Sequence, residues 1–412
     1  MNLARYILFV GMVWMSASSA SSQAVAPAEP VEKLLPVRQI PWPEAAHCCE
    51  MFSALAAGPD GLVYAGTCTS LAKERLGAML ITLDPKTNKQ KILLDVMKVT
   101  GEQGAKTFPQ SKIHSQIQFD SKGVAWFGTH SYQWETLQQY EKDPKAYTGG
   151  YLLAYDTKTA KVTNLGILVP HESIMSLAVA ESVGKIYCIM HPTGRFVAYD
   201  IASKKVSDLG AVLGFPCRTV VALPDGRGYT FTQDGHVVRY TPSTGKLEVL
   251  NVAIPDDQKE SVVRGKDYYN NPFALVVSAD QKHIYGTGWM SGYLFDYQPD
   301  EGAQGKLRIL GVAFGDSVVP GERRDLVIAM DKAPDGRIYY AGYCSNEGRV
   351  VRFDPKTGKR EYLGRMAVNG KSIAREVSDA ISGALTVLQD GTVVVCTFNN
   401  HQTIYNLFHP EQ

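Results

Sequence analysis

The sequence has almost no net charge. Its 42 lysine and arginine residues are balanced by 41 aspartate and glutamate residues, and no run of basic residues stands out. A protein that holds nucleic acid on a basic face carries a clear excess of positive charge. The composition therefore argues against nucleic acid as a partner, while a single local cation would still suffice to meet an acidic ligand.

Long apolar runs are also scarce. The run Ile7 to Met15 near the start is shorter than the roughly 20 residues that a membrane helix needs. A basic residue before it and small residues after it are typical of an export signal. We expect residues 1–24 to be a signal peptide, cleaved after Ala20 or Ala24. The mature chain would then be secreted or periplasmic, with no integral membrane segment.

The cysteines form no CxxC pair of the kind found in many zinc and redox sites. In an oxidising compartment, a disulfide between Cys68 and either Cys49 or Cys48 is one interpretation. Buried unpaired thiols are the other. The odd count leaves at least one thiol free. The seven cysteines are Cys48, Cys49, Cys68, Cys188, Cys217, Cys344 and Cys396.

The chain repeats one hairpin along its length. No long segment has the apolar periodicity of a helix. A turn carrying Asp-Gly or a related pair lies between two apolar strands, and a third and a short fourth strand follow in most copies. Four short strands at a spacing of roughly 40 to 60 residues are typical of a β-propeller. The seven turns lie at 59–61, 120–123, 182–184, 224–226, 279–282, 334–336 and 389–391.

The repeat predicts an all-β fold, a seven-bladed β-propeller with four-stranded blades, in residues 25–412. The last copy stops after its third strand, Thr403 to Phe408. Leu35 to Ile40, near the mature N-terminus, is a spare strand that would complete this blade and close the ring.

Aligning the copies predicts which residues face the mouth around the propeller axis. A residue that only builds the blade should resemble its equivalents, as Tyr64, Trp126, Tyr187, Tyr229, Tyr285 and Tyr339 do at one repeated position. His114 and Arg218 differ from their apolar or small equivalents. His130 and His191 are the ionisable members of the ring formed by the ends of the second strands, and they belong to adjacent blades, two and three.

Two segments exceed the repeat, and both adjoin blade two. They are Thr100 to Gln110 and Ser131 to Gly149, the second of which carries Tyr132, Trp134, Tyr140 and Tyr147. Loops that exceed a repeat often carry binding function. Aromatic residues there would suit stacking on sugar rings, although the loop could equally cover its own blade.

Two histidines beside an arginine suit proton abstraction next to a carboxylate. An imidazole acts as base or acid near neutral pH, and an arginine stabilises the charge that develops on the carboxylate. This is the requirement for β-elimination from a uronic acid. The predicted catalytic residues are His114, His130, His191 and Arg218, and the predicted substrate-binding residues are Arg195, Tyr132, Trp134, Trp289, Tyr343, Gln233 and Asn399.

A metal site is the rival interpretation of the same histidines, because three imidazoles from adjacent strands could hold zinc. His47-Cys48-Cys49 with Cys68 is a second metal candidate. The sequence indicates no certain cofactor, and a structural zinc or calcium ion is an open alternative.

The chain resembles the seven-bladed polysaccharide lyases, in particular ulvan-lyase-like proteins and their exported relatives. The resemblance implies a β-elimination on an acidic polysaccharide or oligosaccharide, with histidines as base, a tyrosine as acid and an arginine that neutralises the uronate. Arg218 is the first choice for the arginine and Arg195 the second. The residues that carry the resemblance are 112–115, 127–130, 150–156, 186–187, 191–195 and 199–200.

The chain departs from the family pattern at His191, where a tyrosine is expected before Pro192. The acid would then be His191, Tyr132 or Tyr343. Two other functions stay open beside the lyase. One is a binding propeller that holds a glycan or peptide with an aromatic mouth, and the other is a metal-dependent, lactonase-like hydrolase that would draw its acidic ligands from Glu50, Glu172 and Glu376.

Overall fold

In the computed structural model, seven four-stranded antiparallel sheets follow one another along the chain, as the repeat predicts. The seven-bladed, all-β prediction is confirmed. Residues 1–32, which include the predicted signal peptide, lie outside the part of the chain that the structure describes. The described ranges are 33–48, 51–69, 76–134, 136–214, 217–255, 270–289, 291–314, 326–344, 347–373, 380–399 and 402–411.

Each blade runs outward from its first strand, and blade two begins with two short strands instead of one. The strands of blades one to three are β3 (Leu55–Ala57), β4 (Val63–Gly66), β5 (Met79–Leu83) and β6 (Gln90–Asp95); β7 (Lys112–Ile113), β8 (Gln118–Phe119), β9 (Val124–His130), β10 (Tyr151–Asp156) and β11 (Lys161–Ile167); β12 (Ser173–Ala180), β13 (Lys185–His191), β14 (Phe196–Asp200) and β15 (Val206–Asp208).

The remaining blades follow the same plan, with one additional short strand, β28 (Lys371–Ser372), at the edge of blade six. The strands of blades four to seven are β16 (Val221–Ala222), β17 (Gly228–Phe231), β18 (His236–Thr241) and β19 (Lys246–Ala253); β20 (Pro272–Val277), β21 (Ile284–Gly288), β22 (Tyr293–Gln298) and β23 (Lys306–Val312); β24 (Leu326–Lys332), β25 (Ile338–Cys344), β26 (Glu347–Asp354) and β27 (Lys359–Val368); β29 (Ala380–Val387), β30 (Val393–Asn399) and β31 (Gln402–Phe408).

The N-terminal segment contributes two strands to two different blades. β2 (Arg38–Pro41) pairs antiparallel with β31 and is the fourth strand of blade seven. β1 (Leu34–Pro36) pairs in parallel with β27, at the outer edge of blade six. The predicted single strand Leu35 to Ile40 is therefore divided at Val37, whose N–H donates to the Ala367 carbonyl.

The repeated Asp-Gly turn explains why these segments form hairpins. In blade two, the Asp120 carboxylate accepts a hydrogen bond from the backbone N–H of Lys122 at 3.0 Å. Gly123 adopts φ +87°, a conformation that a side chain would oppose. The same carboxylate accepts from the Trp126 indole at 3.1 Å. Trp126 thus packs against the turn of its own blade, and the six residues at the repeated aromatic position are at most 6% exposed, as predicted for packing residues.

Helices are few and short in the described ranges. They are α1 (Val96–Thr100) and α2 (Leu137–Lys142), with short 3₁₀ turns at Glu44–Ala46, Pro144–Ala146 and Glu181–Val183. Among the described residues, no helix has the length and apolar character needed to cross a bilayer.

Side-chain hydrogen bonds join the innermost strands of neighbouring blades. The Ser176 hydroxyl donates to the Gln116 side chain at 2.7 Å and accepts from the Val220 N–H at 3.2 Å, which links blades two, three and four. The Asp331 carboxylate accepts from the Val387 N–H at 2.9 Å and links blades six and seven. Residues from the inner strands of blades one, two and four to seven line a cavity of about 840 Å³.

Candidate functional site

Three of the predicted catalytic residues lie in one cluster, which we call the imidazole cluster: His114, His130 and His191. The ring centroids of His114 and His130 are 5.4 Å apart, and those of His130 and His191 are 5.0 Å apart. Both pairs meet edge to face, at interplanar angles of 88° and 81°. The three residues are buried, with 0–3% of their surface exposed.

A break in the innermost strand of blade two positions His114. The strand stops after Ile113 and resumes at Gln118, so His114 falls in the interruption. Blade three has a bulge at the corresponding place, where the pairing register shifts between Ile174 and Ser176. Such irregularities redirect a side chain out of the alternating pattern of the sheet. The His114 Nδ1 accordingly lies 3.1 Å from the Met175 carbonyl oxygen of the next blade.

This contact determines the tautomer of His114. A carbonyl oxygen only accepts hydrogen bonds, so the His114 Nδ1 must carry the hydrogen. The lone pair of the neutral ring therefore lies on Nε2. On its other side, the ring stacks on Phe52 of blade one, with 4.8 Å between centroids and 21° between planes. Residues at equivalent positions in blades one, two and three thus touch one another, as the alignment of the copies predicts.

Lys112 brings a cation into the imidazole cluster, and the sequence interpretation did not identify it. The residue is 1% exposed, and its Nζ lies 4.4 Å from the centroid of the Phe52 ring and 4.6 Å from that of Tyr132. Its backbone pairs directly with His130 across the sheet. Aromatic faces stabilise an ammonium group electrostatically. The signal was its position two residues before His114, but Lys112 is in neither of the aligned rings.

A buried polar network fills the space behind His130. Gln110 donates through its side-chain nitrogen to the Glu102 carboxylate at 3.0 Å and to the Gly149 carbonyl at 2.9 Å. Its side-chain oxygen accepts from the Tyr147 hydroxyl at 2.6 Å and from the Thr129 hydroxyl at 2.8 Å. Gln110, Thr129 and Tyr147 have 0% exposure. Burial raises the pKa of Tyr147 well above its ordinary value, so its hydroxyl stays protonated.

Ser173 contacts the imidazole cluster from blade three. Its hydroxyl lies within hydrogen-bond distance of the His130 Nδ1. Its backbone is the direct cross-strand partner of His191. Sequence reasoning missed Ser173 as well, because serine at the start of a strand is common and carries no distinctive signal.

Arg218 contacts two aromatic rings of blade five. Its guanidinium carbon is 5.1 Å from the centroids of both Phe273 and Trp289, and the two rings meet edge to face. Arg218 and Trp289 are both partly exposed. The predicted catalytic arginine and one predicted substrate-binding tryptophan therefore occupy a single cation–π arrangement.

Arg195 is engaged by two carboxylates. Its Nε lies 3.2 Å from a Glu172 oxygen, and its Nη1 lies 2.7 Å from an Asp208 oxygen. The Glu172 side chain is 1% exposed and also accepts from the Thr193 hydroxyl at 2.6 Å. Burial raises the pKa of Glu172 despite these partners. Arg195 thus neutralises a buried acid of its own blade, which favours Arg218 as the arginine that meets a ligand.

Trp134 does not face a ligand, which corrects the prediction for this residue. Its side chain is 1% exposed, and its indole N–H donates to the His171 carbonyl at 3.0 Å. The ring packs among the rings of Phe108, Tyr140 and Tyr147. A loop of this length needs a small apolar core of its own, and Trp134 forms it. Tyr132, by contrast, is partly exposed and contacts Lys112.

The remaining predicted substrate-binding residues are Gln233, Tyr343 and Asn399. Gln233 lines a cleft of about 620 Å³ together with Gly214, Asp234 and His236. Tyr343 and Asn399 occupy the ends of β25 and β30, and their side chains lie outside the described residues.

The described residues contain no group of three His, Cys, Asp or Glu side chains arranged to hold a metal ion. Cys48, in the second metal candidate, is buried and receives a hydrogen bond from the Thr403 hydroxyl at 3.4 Å. Cys188 and Cys217 are free, buried thiols. Cys49, which the metal and disulfide predictions both include, lies outside the described residues.

Comparison with known proteins supports the fold alone. No protein-family model and no curated protein matches the chain. A streptogramin B lyase structure matches with a TM-score of 0.57 and 13% identity, over 90% of this chain and 97% of that one. A catalytically inactive histidine-to-alanine variant of virginiamycin B lyase from Staphylococcus aureus, with quinupristin, matches with a TM-score of 0.56 and 12% identity, over 90% and 98%.

Extracellular proteins are also among the structural neighbours. The extracellular domain of BT4673 from B. thetaiotaomicron matches with a TM-score of 0.56 and 13% identity, over 90% of this chain and 40% of that one. The chain therefore spans less than half the length of that neighbour. At these identities the neighbours establish a β-propeller and leave its function to the site itself.

Proposed function

We propose that the protein is an exported lyase that cleaves a uronate-containing polysaccharide or oligosaccharide by β-elimination. The observation that carries the proposal is the imidazole cluster of His114, His130 and His191. The Lys112 ammonium lies over Phe52, the ring that stacks on His114. Export is proposed from the leader-like residues 1–24, and extracellular neighbours agree with it.

The reaction assigns one role to each group. The Nε2 of His130 or His114 removes the proton from the carbon next to the uronate carboxylate. The electron pair of that C–H bond forms a carbon–carbon double bond, and the bond from the neighbouring carbon to the glycosidic oxygen breaks. Protonated His191 donates a proton to the leaving oxygen. Arg218 or Lys112 stabilises the negative charge that the carboxylate gains in the transition state.

Two of the structural neighbours are named as lyases. Streptogramin B lyase and virginiamycin B lyase share the fold, and replacing a histidine by alanine inactivates the second of these proteins. An acidic glycan as the substrate of the present chain is our own proposal. It rests on the two cations and on the resemblance described for the sequence.

A propeller that binds a glycan without turnover is the second candidate. The exposure of 0–3% at the three imidazoles favours it, because a base must reach the carbon that it deprotonates. In this case the partly exposed Arg218 and Trp289 would hold the ligand, and the histidines would support the blades.

Incubation with a panel of acidic polysaccharides distinguishes the two candidates. A lyase produces unsaturated uronate ends, which absorb in the ultraviolet. His130→Ala should abolish the increase in absorbance, whereas His409→Ala, which alters a partly exposed histidine after the last strand, should preserve it. Binding to a panel member without any absorbance would establish the second candidate, and equal activity of both variants would remove His130 from the mechanism.

A further inference from the structure

The turn that follows His191 is held by a buried carboxylate from the neighbouring strand. Glu172 comes directly before the first strand of blade three, and its side chain is 1% exposed. One oxygen of its carboxylate accepts from the Thr193 hydroxyl at 2.6 Å, and the other lies 3.2 Å from the Arg195 Nε. Because Thr193 and Arg195 closely follow His191 in the chain, a single carboxylate holds the turn at two points.

Backbone contacts make the same turn compact. The Met190 N–H donates to the Arg195 carbonyl at 2.8 Å, and the Gly194 N–H donates to the Met190 carbonyl at 3.1 Å. A Cβ atom at Gly194 would lie 2.2 Å from the Gly214 carbonyl oxygen, so the turn packs directly against the segment that leads to blade four. These contacts leave His191, at the start of the turn, little freedom to move.

Glu172 is itself fixed in place. Its carbonyl accepts from the Gly150 N–H of blade two at 2.8 Å. The next residue, Ser173, pairs directly with His191 across the sheet, and its hydroxyl contacts the His130 Nδ1. Glu172 is therefore joined to both of the blades that supply the neighbouring imidazoles.

The corresponding turn of blade four is held in a different way. There the Thr232 hydroxyl donates to the Asp234 carboxylate, and the Gly235 N–H donates to the Thr232 carbonyl at 2.9 Å. Asp234 belongs to the turn itself, and its side chain is 62% exposed, so water solvates the charge. Blade three instead buries its carboxylate, which is unfavourable unless hydrogen bonds and an opposite charge compensate for the lost hydration. Thr193 and Arg195 supply that compensation at the turn that carries a histidine.

We infer that Glu172, Thr193 and Arg195 are positioning residues that hold the His191 imidazole edge to face against His130. The role rests on the proposed function, in which His191 donates a proton to the leaving oxygen. A general acid must lie within hydrogen-bond reach of the atom that it protonates, and a small misplacement is costly. Arg195 then serves the site through Glu172, without touching the substrate.

Proton NMR of the imidazole rings in the full chain tests the inference. In an edge-to-face pair, protons at the edge of one ring lie over the face of the other, whose ring current moves their signals upfield. Spectra of His130→Gln and His191→Gln identify the signals that depend on this contact. Thr193→Val removes the hydroxyl and keeps the shape of the side chain, and Arg195→Met removes the guanidinium. We expect each of these two variants to lose most of the upfield shift.

Asp208→Asn is the matched control. Asp208 contacts the Arg195 Nη1 at 2.7 Å with a side chain that is 45% exposed, so this variant leaves the bonds to Glu172 in place and should preserve the wild-type signals. Thr193→Val alters one hydroxyl only and keeps the test decisive if Arg195→Met fails to fold. Wild-type signals in Thr193→Val and Arg195→Met, even with a lower urea midpoint, would indicate a purely structural role and overturn the inference. An equal displacement in Asp208→Asn would overturn it too.

Turnover separates this inference from the lyase itself. On a glycan that the wild type cleaves, Thr193→Val and Arg195→Met should lower kcat by up to about 10²-fold and leave KM nearly unchanged. Displaced signals in these variants, with no turnover of any acidic glycan by the wild type, would refute the lyase and leave the positioning of His191 intact.

Discussion

Gly150 lies between backbone atoms of blades two and three, close to Thr129 and Ser173, and its replacement by alanine tests how rigid this junction is. A Cβ atom at Gly150 would lie 2.3 Å from the Thr129 carbonyl oxygen, 2.7 Å from the Ile174 nitrogen and 3.0 Å from the Ser173 Cα. All three are backbone atoms, which cannot swing away as a flexible side chain does. Since ordinary contacts are about 3.5–4.0 Å, the surrounding backbone of blades two and three must shift locally by roughly 1 Å.

We expect Gly150→Ala to lower the free energy of unfolding by about 3 kcal/mol, the upper part of the usual range for overpacking. The displacement falls between Thr129 and Ser173, so it should also lengthen the contact between Ser173 and His130. Urea denaturation measures the first effect, and the histidine NMR signals of His130 measure the second.

Gly228→Ala is the matched control for this substitution. Its Cβ would lie 2.8 Å from the Tyr187 ring, which is a side chain and can move, and the site is away from His130. We expect a smaller loss of stability and unchanged His130 signals. Wild-type stability in Gly150→Ala would refute the view that the junction is rigid. A large loss with unaltered His130 signals would refute its connection to the imidazole cluster.

Three shorter predictions follow from other parts of the molecule. Removing residues 33–41 should abolish the single cooperative urea transition, since blade seven loses its fourth strand. Lys112→Met should weaken binding of an acidic oligosaccharide about tenfold in calorimetry, by roughly 1.4 kcal/mol, whereas Lys122→Met in the exposed turn should not. Burial raises the pKa of Glu172, so the stability contributed by its protonated form is lost as pH rises through that pKa. In urea titrations, the free energy of unfolding of Glu172→Gln relative to that of the wild type should therefore be higher near pH 7 than near pH 4.

The sequence predicted the fold because the repeat is encoded locally. Each turn is specified by residues of its own, such as the carboxylate and the glycine of the Asp120–Gly123 turn. The pattern of a single strand is weak, but its repetition in every copy makes the prediction strong. The same repetition located His114, His130 and His191, because equivalent positions of neighbouring blades meet at the mouth. Their contact is a consequence of register, which the alternation of the strands determines.

What the sequence could not predict depends on contacts between non-repeated segments. Trp134 is an aromatic residue in a long loop, which is typical of a binding site. Only the fold of the insertion around Phe108 and Tyr147 shows that its ring is enclosed. Arg195 meets Glu172 across 23 residues of chain, a pairing that no spacing rule implies. Lys112 escaped detection because it lies two residues before His114 and therefore belongs to neither of the aligned rings.

The cost of the buried polar network behind His130 is an argument for its function. Buried polar groups destabilise a fold unless every one of them is satisfied, and a blade with an apolar filling would avoid the requirement. Blade two instead buries Glu102 and Gln110 and orders two additional segments around them, at a further cost in chain entropy. The hydrogen bonds that result join Glu102, Gln110 and Tyr147 to Thr129, the residue directly before His130. A propeller that required only seven similar blades would gain nothing from this network, whereas one that must fix the backbone beside a functional imidazole would.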